Sequence, residues 1–248
     1  MHSTKSVSMR ALGRRPLIVA LVAMVAAAGL LAGTATAQTE PATAAPQSRF
    51  VVVLDAAHGG DDPGGRLTGG ISEKAFTLAL SVRLRSLLAA RGIQVVTTRE
   101  SDSTMEPNRR ADIANHANAQ ACLSLHATET GSGVHLYASS LPPVEPARFA
   151  AFKTAQAGWV TRSLALAGVV NSSLLGAGIS VKLGRTALLA VDSMTCPAVA
   201  VEIAPKSPPD RATGAPPAAD LDDPDYQARI AEALAAALLE WRTEAREP

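Results

Sequence analysis

Apolar runs and polar loops alternate from residue 49 onward, and their periods predict strands followed by helices. Phe50–Leu54 is a continuous β-branched and apolar run, which is typical of a buried strand. A glycine-rich loop over Asp55–Gly70 follows, and Ser72 then has the character of a helix N-cap. Behind it, apolar residues recur at helical spacing until Gly92 ends the helix. These apolar positions are Phe76, Leu80, Leu84, Leu87 and Leu88.

The same alternation continues towards the C-terminus. Further strands are predicted at Ile93–Thr98, Ala121–Leu125, Val134–Ala138 and Ala198–Ile203, with one or two short strands within residues 178–190. Further helices are predicted at Pro107–Ala117, over Pro146–Ala167 as one helix or two, and at residues 225–242. Because strands and helices alternate, we expect a single α/β domain with a mostly parallel twisted sheet and helices on both faces.

The first residues carry the pattern of an export signal. Basic residues up to Arg15 precede the apolar run Leu17–Ala32, and Ala35-Thr36-Ala37 offers a small-x-small cleavage site. The alternative is an uncleaved membrane anchor, but the run is short for a span of about 20 residues. We therefore predict a signal peptide at 1–37, a linker rich in Thr, Ala and Pro at 38–48, and a folded domain at 49–248 with a proline-rich loop at 205–220.

These assignments predict an exported protein of the periplasm, cell envelope or extracellular space, with no membrane association after cleavage. Arg14-Arg15 permits the twin-arginine route as well as the general one. Removing residues 1–37 takes away four of the 23 basic residues and none of the 22 acidic ones, which changes the formal net charge from +1 to −3. A weakly acidic chain without a basic cluster is a poor candidate for nucleic-acid binding.

The two cysteines, Cys122 and Cys196, lie near the predicted starts of core strands. In an exported protein such a pair can form a disulfide. They can equally be two buried small apolar residues. Both interpretations stay open at this point.

Four residues with chemically useful side chains stand at places where α/β sheets form sites. His58 follows the first strand, His126 ends the third, Glu202 lies near the end of Ala198–Ile203, and Glu73 opens the first helix. Taken singly, a histidine after a strand or a glutamate at a helix start has an ordinary structural explanation. Glu202 is harder to dismiss, because burying an unpaired carboxylate in an apolar run costs several kcal/mol.

Together the four residues match a known chemical arrangement. Catalytic zinc commonly has three protein ligands, for example two histidines and one glutamate, with the fourth position left for water. A second carboxylate nearby can then take the proton of that water and pass it to a leaving nitrogen. The sequence therefore predicts one Zn²⁺ per chain on His58, Glu73 and His126, with Glu202 as the catalytic residue for proton transfer.

Several short motifs run in a fixed order along the chain. They are Leu54–Gly60, Asp62-Pro63-Gly64, Glu73-Lys74, Thr98-Arg99 with Asp102, Arg110-Ala111 with Ala114-Asn115, Ser124 with His126-Ala127, and Val201-Glu202. In sequence and order these segments resemble the zinc-dependent N-acetylmuramoyl-L-alanine amidases of the amidase-3 type. The resemblance runs from about Arg49 to Ala204, and the closing helix also stands where the family has one.

The resemblance implies a catalytic domain at 49–248 that hydrolyses the amide between N-acetylmuramic acid and L-alanine in peptidoglycan. It implies zinc on His58, Glu73 and His126, catalysis by Glu202, peptidoglycan as the binding partner, and an activator protein as a possible further partner. Two alternatives remain: another zinc amidohydrolase acting on cell-wall peptides or sugars, and a non-catalytic peptidoglycan-binding domain.

The sequence also departs from the family pattern. Ala56-Ala57 stands where the family has Pro-Gly, Thr128 replaces the usual Asn, and Ile203–Ser207 replaces Gly-Phe-x-x-Asn. None of these changes touches the four predicted site residues. They predict a groove whose rim differs from that of the family.

Five more polar residues are expected to lie outside the chemistry. We expect His116 to face solvent or bond locally, His135 to occupy an exposed edge position rather than line the groove, and Glu129 to be a solvated loop carboxylate. Arg99 and Arg110 are expected to form structural salt bridges or to anchor loops.

Overall fold

The computed structural model describes residues 49–145, 151–207 and 221–244. The predicted signal peptide at 1–37, the linker at 38–48 and most of the predicted proline-rich loop lie outside these residues. Within them, no helix combines the length with the apolar character that a membrane span requires.

Six strands and four α-helices make up the described ranges, and they alternate along the chain. The strands are β1 Val51–Ala56, β2 Gln94–Thr97, β3 Ala121–Ala127, β4 Val134–Ser139, β5 Val181–Thr186 and β6 Ala198–Ile203. The α-helices are α1 Glu73–Ala89, α2 Pro107–His116, α3 Val160–Gly176 and α4 Pro224–Glu244. Short 3-10 segments lie at Thr68–Gly70, Phe152–Gly158 and Val191–Ser193.

The strands form one sheet in the order β2-β1-β3-β6-β4-β5. All neighbouring pairs are parallel except β4 and β6, which run antiparallel. Helices cover both faces: α1, α3 and α4 pack on one, while α2 and the Val191–Ser193 turn pack on the other. The predicted α/β domain with a mostly parallel sheet is confirmed.

The alternation of side chains along the strands explains why the polar side chains gather on one face of the sheet. Leu54, Leu123 and Val201 point into the large core beneath α1, α3 and α4. Their neighbours along the same strands point to the opposite face, where Val53 and Cys122 pack under α2. Further along, towards the carboxyl ends of β1, β3 and β6, this second face carries polar side chains. They are Asp55, Ser124, His126 and Glu202.

The second half of the chain differs from the prediction. In place of a helix over Pro146–Ala167, the described residues form the 3-10 segment and then α3, which ends at Gly176. Leu166, Val170 and Leu174 are fully buried one turn apart, so this apolar stripe carries the helix well beyond the predicted end. Residues 178–190 hold one strand, β5.

Cys122 and Cys196 are joined in a disulfide, with their Cα atoms 6.3 Å apart. The bond links β3 to the segment that leads into β6, and both residues are buried. The structure therefore supports the disulfide interpretation of the cysteine pair. Cys122 lies near the start of β3 and His126 near its end, so the disulfide and the polar end of the sheet are separated along the strand.

Candidate metal centre and its surroundings

His58, Glu73 and His126 converge at the carboxyl ends of β1 and β3. His58 Nε2 lies 3.1 Å from Glu73 Oε1, and His126 Nδ1 lies 3.0 Å from the same oxygen. One ligand atom from each residue can be chosen so that all three lie within 4.8 Å of one another. The structure therefore brings together the three residues predicted as metal ligands, in a group that could hold one metal ion.

Each of the three side chains is positioned by a different element. His58 follows β1 with a φ of +61°, an unusual conformation for a residue other than glycine. Arg110 stabilises this turn, because its Nη2 donates to the His58 carbonyl at 2.7 Å. Glu73 is the first residue of α1, and backbone N–H groups of Gly65 and Ala127 donate to its carboxylate at 2.8 and 3.2 Å.

Gly64 lets the glycine-rich loop approach the cluster closely. Its φ is +65°, and a Cβ at this position would lie 2.6 Å from His58 Cδ2 and 2.7 Å from Glu73 Oε2. A side chain would therefore displace two of the three converging residues. The close approach of the loop therefore explains why the third position of the Asp62-Pro63-Gly64 motif requires glycine.

The ring nitrogens that face away from Glu73 also have partners. His58 Nδ1 lies 2.8 Å from Asp62 Oδ2, and His126 Nε2 lies 3.4 Å from Ser124 Oγ. The Ser124 hydroxyl donates to Asp55 Oδ2 at 2.7 Å. Metal-binding histidines usually carry such a partner on the second nitrogen, which fixes the tautomer and the ring orientation. Two imidazoles and a carboxylate, supported in this way, fit a zinc ion.

A buried ion pair supports this partner network. Asp55 is 1% exposed, and it accepts hydrogen bonds from Arg110 Nη1 at 2.7 Å and from Thr98 Oγ1 at 2.8 Å. Arg99 is also buried, and its guanidinium donates to the carbonyls of Ala56 and Ala57. The expectation that Arg99 and Arg110 anchor loops and form salt bridges is confirmed.

Electrostatics favour an ionised Glu73 and a protonated His58 in the metal-free chain. Burial alone would raise the pKa of the Glu73 carboxyl, but hydrogen bonds from His126, His58 and two backbone amides outweigh it, so the pKa lies well below 4.5. The hydrogen bond to Glu73 raises the pKa of His58 above 6.5, against the effect of burial, and the bond to Asp62 adds to the rise. The cluster is therefore an anionic carboxylate that is hydrogen-bonded to two histidine side chains.

Glu202 lies beside this cluster through strand register. It pairs with His126 across β3 and β6, so both side chains project from the same face. Its side chain is 30% exposed, and Oε2 lies 2.8 Å from His135 Nδ1. The fourth predicted residue thus lies next to His126 on the adjoining strand, with access to solvent.

His135 is the residue whose position sequence reasoning got wrong. It is 7% exposed, since β4 lies between β6 and β5 rather than at an edge. The alternation in Val134–Tyr137 was a usable signal, because it puts His135 on the face opposite the buried Val134 and Leu136. This pattern does not show which strands lie on either side of β4, so it could not predict that His135 is buried.

The predictions for the two remaining polar residues agree with the structure. His116 is exposed and its Nδ1 donates to the Asp112 carbonyl at 2.7 Å, as expected. Glu129 is a partly exposed loop carboxylate, as expected, and it also accepts hydrogen bonds from the backbone N–H and the hydroxyl of Thr68. Glu129 therefore ties the glycine-rich loop to the segment that follows β3.

Comparison with known proteins identifies the family of this chain. The family model described as N-acetylmuramoyl-L-alanine amidase, amidase-3 type, matches residues 52–240. The chain is 34% identical over 95 residues to the germination-specific N-acetylmuramoyl-L-alanine amidase of Bacillus subtilis, and 34% identical over 94 residues to the amidase AmiA of Escherichia coli. These matches cover 33% and 38% of this chain. They span only 40% and 32% of the two curated relatives.

Solved structures cover far more of the fold. The catalytic domain of the amidase CwlV from Bacillus (Paenibacillus) polymyxa var. colistinus superposes with a TM-score of 0.59 at 26% identity, over 78% of this chain and 98% of that one. The CwlD amidase of Clostridioides difficile, solved in complex with the GerS lipoprotein, shares the fold with a TM-score of 0.60 at 21% identity, over 79% of this chain and all of its own. The α/β fold of this chain therefore has counterparts among solved amidase structures. The chain belongs to the amidase-3 family of N-acetylmuramoyl-L-alanine amidases.

Proposed function

We propose that this protein hydrolyses the amide bond between the lactyl group of N-acetylmuramic acid and the L-alanine of the stem peptide in peptidoglycan. The observation that carries the proposal is the convergence of His58, Glu73 and His126 beside Glu202, in a domain of the amidase-3 family. The proposal includes one zinc ion per chain, held by the two histidines and Glu73.

The donor set and its surroundings support zinc. Two imidazole nitrogens and one carboxylate oxygen are a common zinc ligand set, and three protein ligands leave a position for water. Bound zinc would lower the pKa of water to about 7 and polarise the carbonyl under attack. The low pKa of Glu73 keeps that ligand ionised without metal, and Asp62 and Ser124 orient the two rings.

Glu202 supplies proton transfer in this proposal. Its side chain is 30% exposed and lies on the same sheet face as His126, and Oε2 lies 2.8 Å from His135 Nδ1. In the proposed reaction this carboxylate takes a proton from the attacking water. The same carboxyl group then delivers that proton to the leaving amine of L-alanine, so the residue ends the cycle as it began.

Export and partners are part of the proposal. The signal-peptide pattern at 1–37 supports a protein that reaches the cell envelope, where peptidoglycan is found. The CwlD structure contains a lipoprotein partner, and that partner belongs to CwlD. For this chain we propose an activator only as a partner to be sought once hydrolysis is measured.

Product analysis on purified sacculi tests the proposed reaction. Zinc-loaded protein is incubated with sacculi, and soluble products are identified by mass spectrometry, with chelator-treated protein as the control. Stem peptides that begin with a free L-alanine amine, released only by the zinc-loaded protein, are the expected result. Released acetate or single amino acids would instead identify another amidohydrolase, and binding without any release would identify a non-catalytic wall-binding domain.

A further inference from the structure

Four ionisable side chains form a row across neighbouring strands at the polar end of the sheet. His126 on β3 pairs with Glu202 on β6, Glu202 pairs with His135 on β4, and His135 pairs with Lys182 on β5. His126 belongs to the proposed metal site, and Glu202 is the proposed proton carrier. His135 is the buried member of the row, and the proposed function gives it no role.

The contact between His135 and Glu202 has one donor and one acceptor. Nδ1 of His135 lies 2.8 Å from Glu202 Oε2, and an ionised carboxylate can only accept, so Nδ1 carries the proton. This bond holds one oxygen of Glu202 and leaves the other without a partner on His135. Without this bond the Glu202 carboxylate could rotate about its side-chain bonds. The bond to His135 therefore fixes the carboxylate in one orientation.

The His135 ring is enclosed on its far side. Nε2 is buried and has no hydrogen-bond partner among the described residues, so a proton there would lack an acceptor. Gly131, at a φ of +83°, passes over the ring so closely that a Cβ would lie 2.6 Å from Cε1 and 2.8 Å from Nε2. The Tyr137 ring stands edge-on, with its centroid 6.4 Å from the ring centroid of His135. The enclosure and the bond to Glu202 together select the Nδ1–H tautomer.

We propose that His135 is a positioning residue for Glu202. Its Nδ1–H holds Oε2, so that Oε1 is the oxygen presented to the attacking water and to the leaving amine. The proposal rests on the proposed function for the role of Glu202. The hydrogen bond itself, and the tautomer it requires, can be tested separately from hydrolysis.

Two substitutions separate the donor from the volume of the side chain. His135→Leu fills the enclosed space but cannot donate, whereas His135→Asn places an amide N–H close to the position of Nδ1. We expect His135→Leu to lower kcat by about 100-fold, the loss that follows a misplaced catalytic group, with KM and zinc content little changed. His135→Asn should recover most of kcat. His116→Leu, at the exposed end of α2, is the matched control and should behave as the unaltered protein.

The outcome that would overturn the proposal is a folded, zinc-loaded His135→Leu protein with unaltered kcat, or a His135→Asn protein as slow as His135→Leu. Thermal unfolding shows whether each variant is folded.

A second measurement does not depend on turnover. Nitrogen-15 spectra of the imidazole groups in the zinc-loaded protein should show His135 as the Nδ1–H tautomer, and Glu202→Ala should shift its Nδ1 resonance and speed the exchange of its proton. An Nε2–H tautomer, or His135 resonances that are unaffected by Glu202→Ala, would contradict the proposed contact. If instead these spectra agree and no hydrolysis of sacculi is found, the proposed reaction fails while the contact stands.

Discussion

His126 and Glu202 are Cα partners on the adjacent parallel strands β3 and β6. Residues paired in this way project from the same face of a sheet, so strand register sets the separation between the proposed metal site and the proposed proton carrier. The other two proposed ligands come from less regular positions, at the turn after β1 and at the start of α1. We therefore expect changes in the glycine-rich loop to affect metal binding, while the pairing of β3 with β6 is the rigid part of the site.

Replacing Gly64 by alanine should weaken zinc binding. The new Cβ would overlap Glu73 and His58 at less than 3 Å, and the φ of +65° adds backbone strain. We expect zinc affinity to fall by at least about tenfold, the lower end of the effect of disturbing the partners of metal ligands. Competition with a zinc indicator measures it.

Gly65→Ala is the matched control for this substitution. Its Cβ would lie 3.4 Å from Glu73 Oε2, an ordinary contact. If Gly64→Ala binds zinc as tightly as Gly65→Ala, the close packing of the loop against the ligands is not required.

Removing the hydroxyl of Ser124 should also weaken zinc binding, by a different route. Ser124 lies between His126 Nε2 and the buried Asp55, and Ser124→Ala leaves that ring nitrogen without its partner. Loss of such a partner typically costs about 10- to 100-fold in metal affinity. Zinc titration of Ser124→Ala and of Ser86→Ala, on the exposed surface of α1, makes the comparison. Equal affinities would exclude the Asp55–Ser124 link from any role at the metal.

The cluster should make the stability of the metal-free protein depend on pH. The lowered pKa of Glu73 contributes stability above about 4.5, which is lost as pH falls through its folded pKa. The raised pKa of His58 contributes stability below 6.5, which is lost as pH rises through its folded pKa. Both contributions are therefore present between these two values.

Thermal unfolding with chelator checks this window. We expect the Tm of the unaltered protein to exceed that of Glu73→Gln most at about pH 5.5, and the difference to shrink as pH rises further and His58 loses its proton. Glu232→Gln, which removes an exposed pair with Arg91, should show a small margin across the range. A Tm difference between the unaltered protein and Glu73→Gln that widens as pH rises would contradict this prediction.

The disulfide should stabilise the fold without supporting the chemistry. Cys122 and Cys196 close a loop with a sequence separation of 74, and a bond of this kind typically contributes about 2–4 kcal/mol to the free energy of unfolding. The Cys122→Ala/Cys196→Ala double variant should lose about that much in urea unfolding and keep its zinc affinity. Reductant should lower the stability of the unaltered protein alone. A double variant with intact stability but impaired zinc binding would reverse this assignment.

The local pattern of apolar and polar residues was enough to predict most of the secondary structure and the candidate site residues. The strands and most helices follow from apolar period and turn residues, and the four site residues follow from chemistry at strand ends together with the family motifs. The boundary of α3 was missed because Gly168 interrupts a pattern that tertiary packing continues. The burial of His135 was missed for a different reason. It depends on β4 lying antiparallel beside β6, and the sequence of β4 alone does not determine the order of the strands.

In the proposed reaction His58, Glu73 and His126 hold zinc while Glu202 moves the proton, and one paired measurement tests both roles. Zinc content and release of stem peptides from sacculi are measured together for the unaltered protein, for Glu202→Gln and for His126→Ala. We expect about one zinc per chain in the first two, turnover reduced by at least about 1,000-fold in Glu202→Gln, and loss of both zinc and turnover in His126→Ala. Full turnover by Glu202→Gln, or an unaltered protein that takes up no zinc on reconstitution, would contradict the proposed roles.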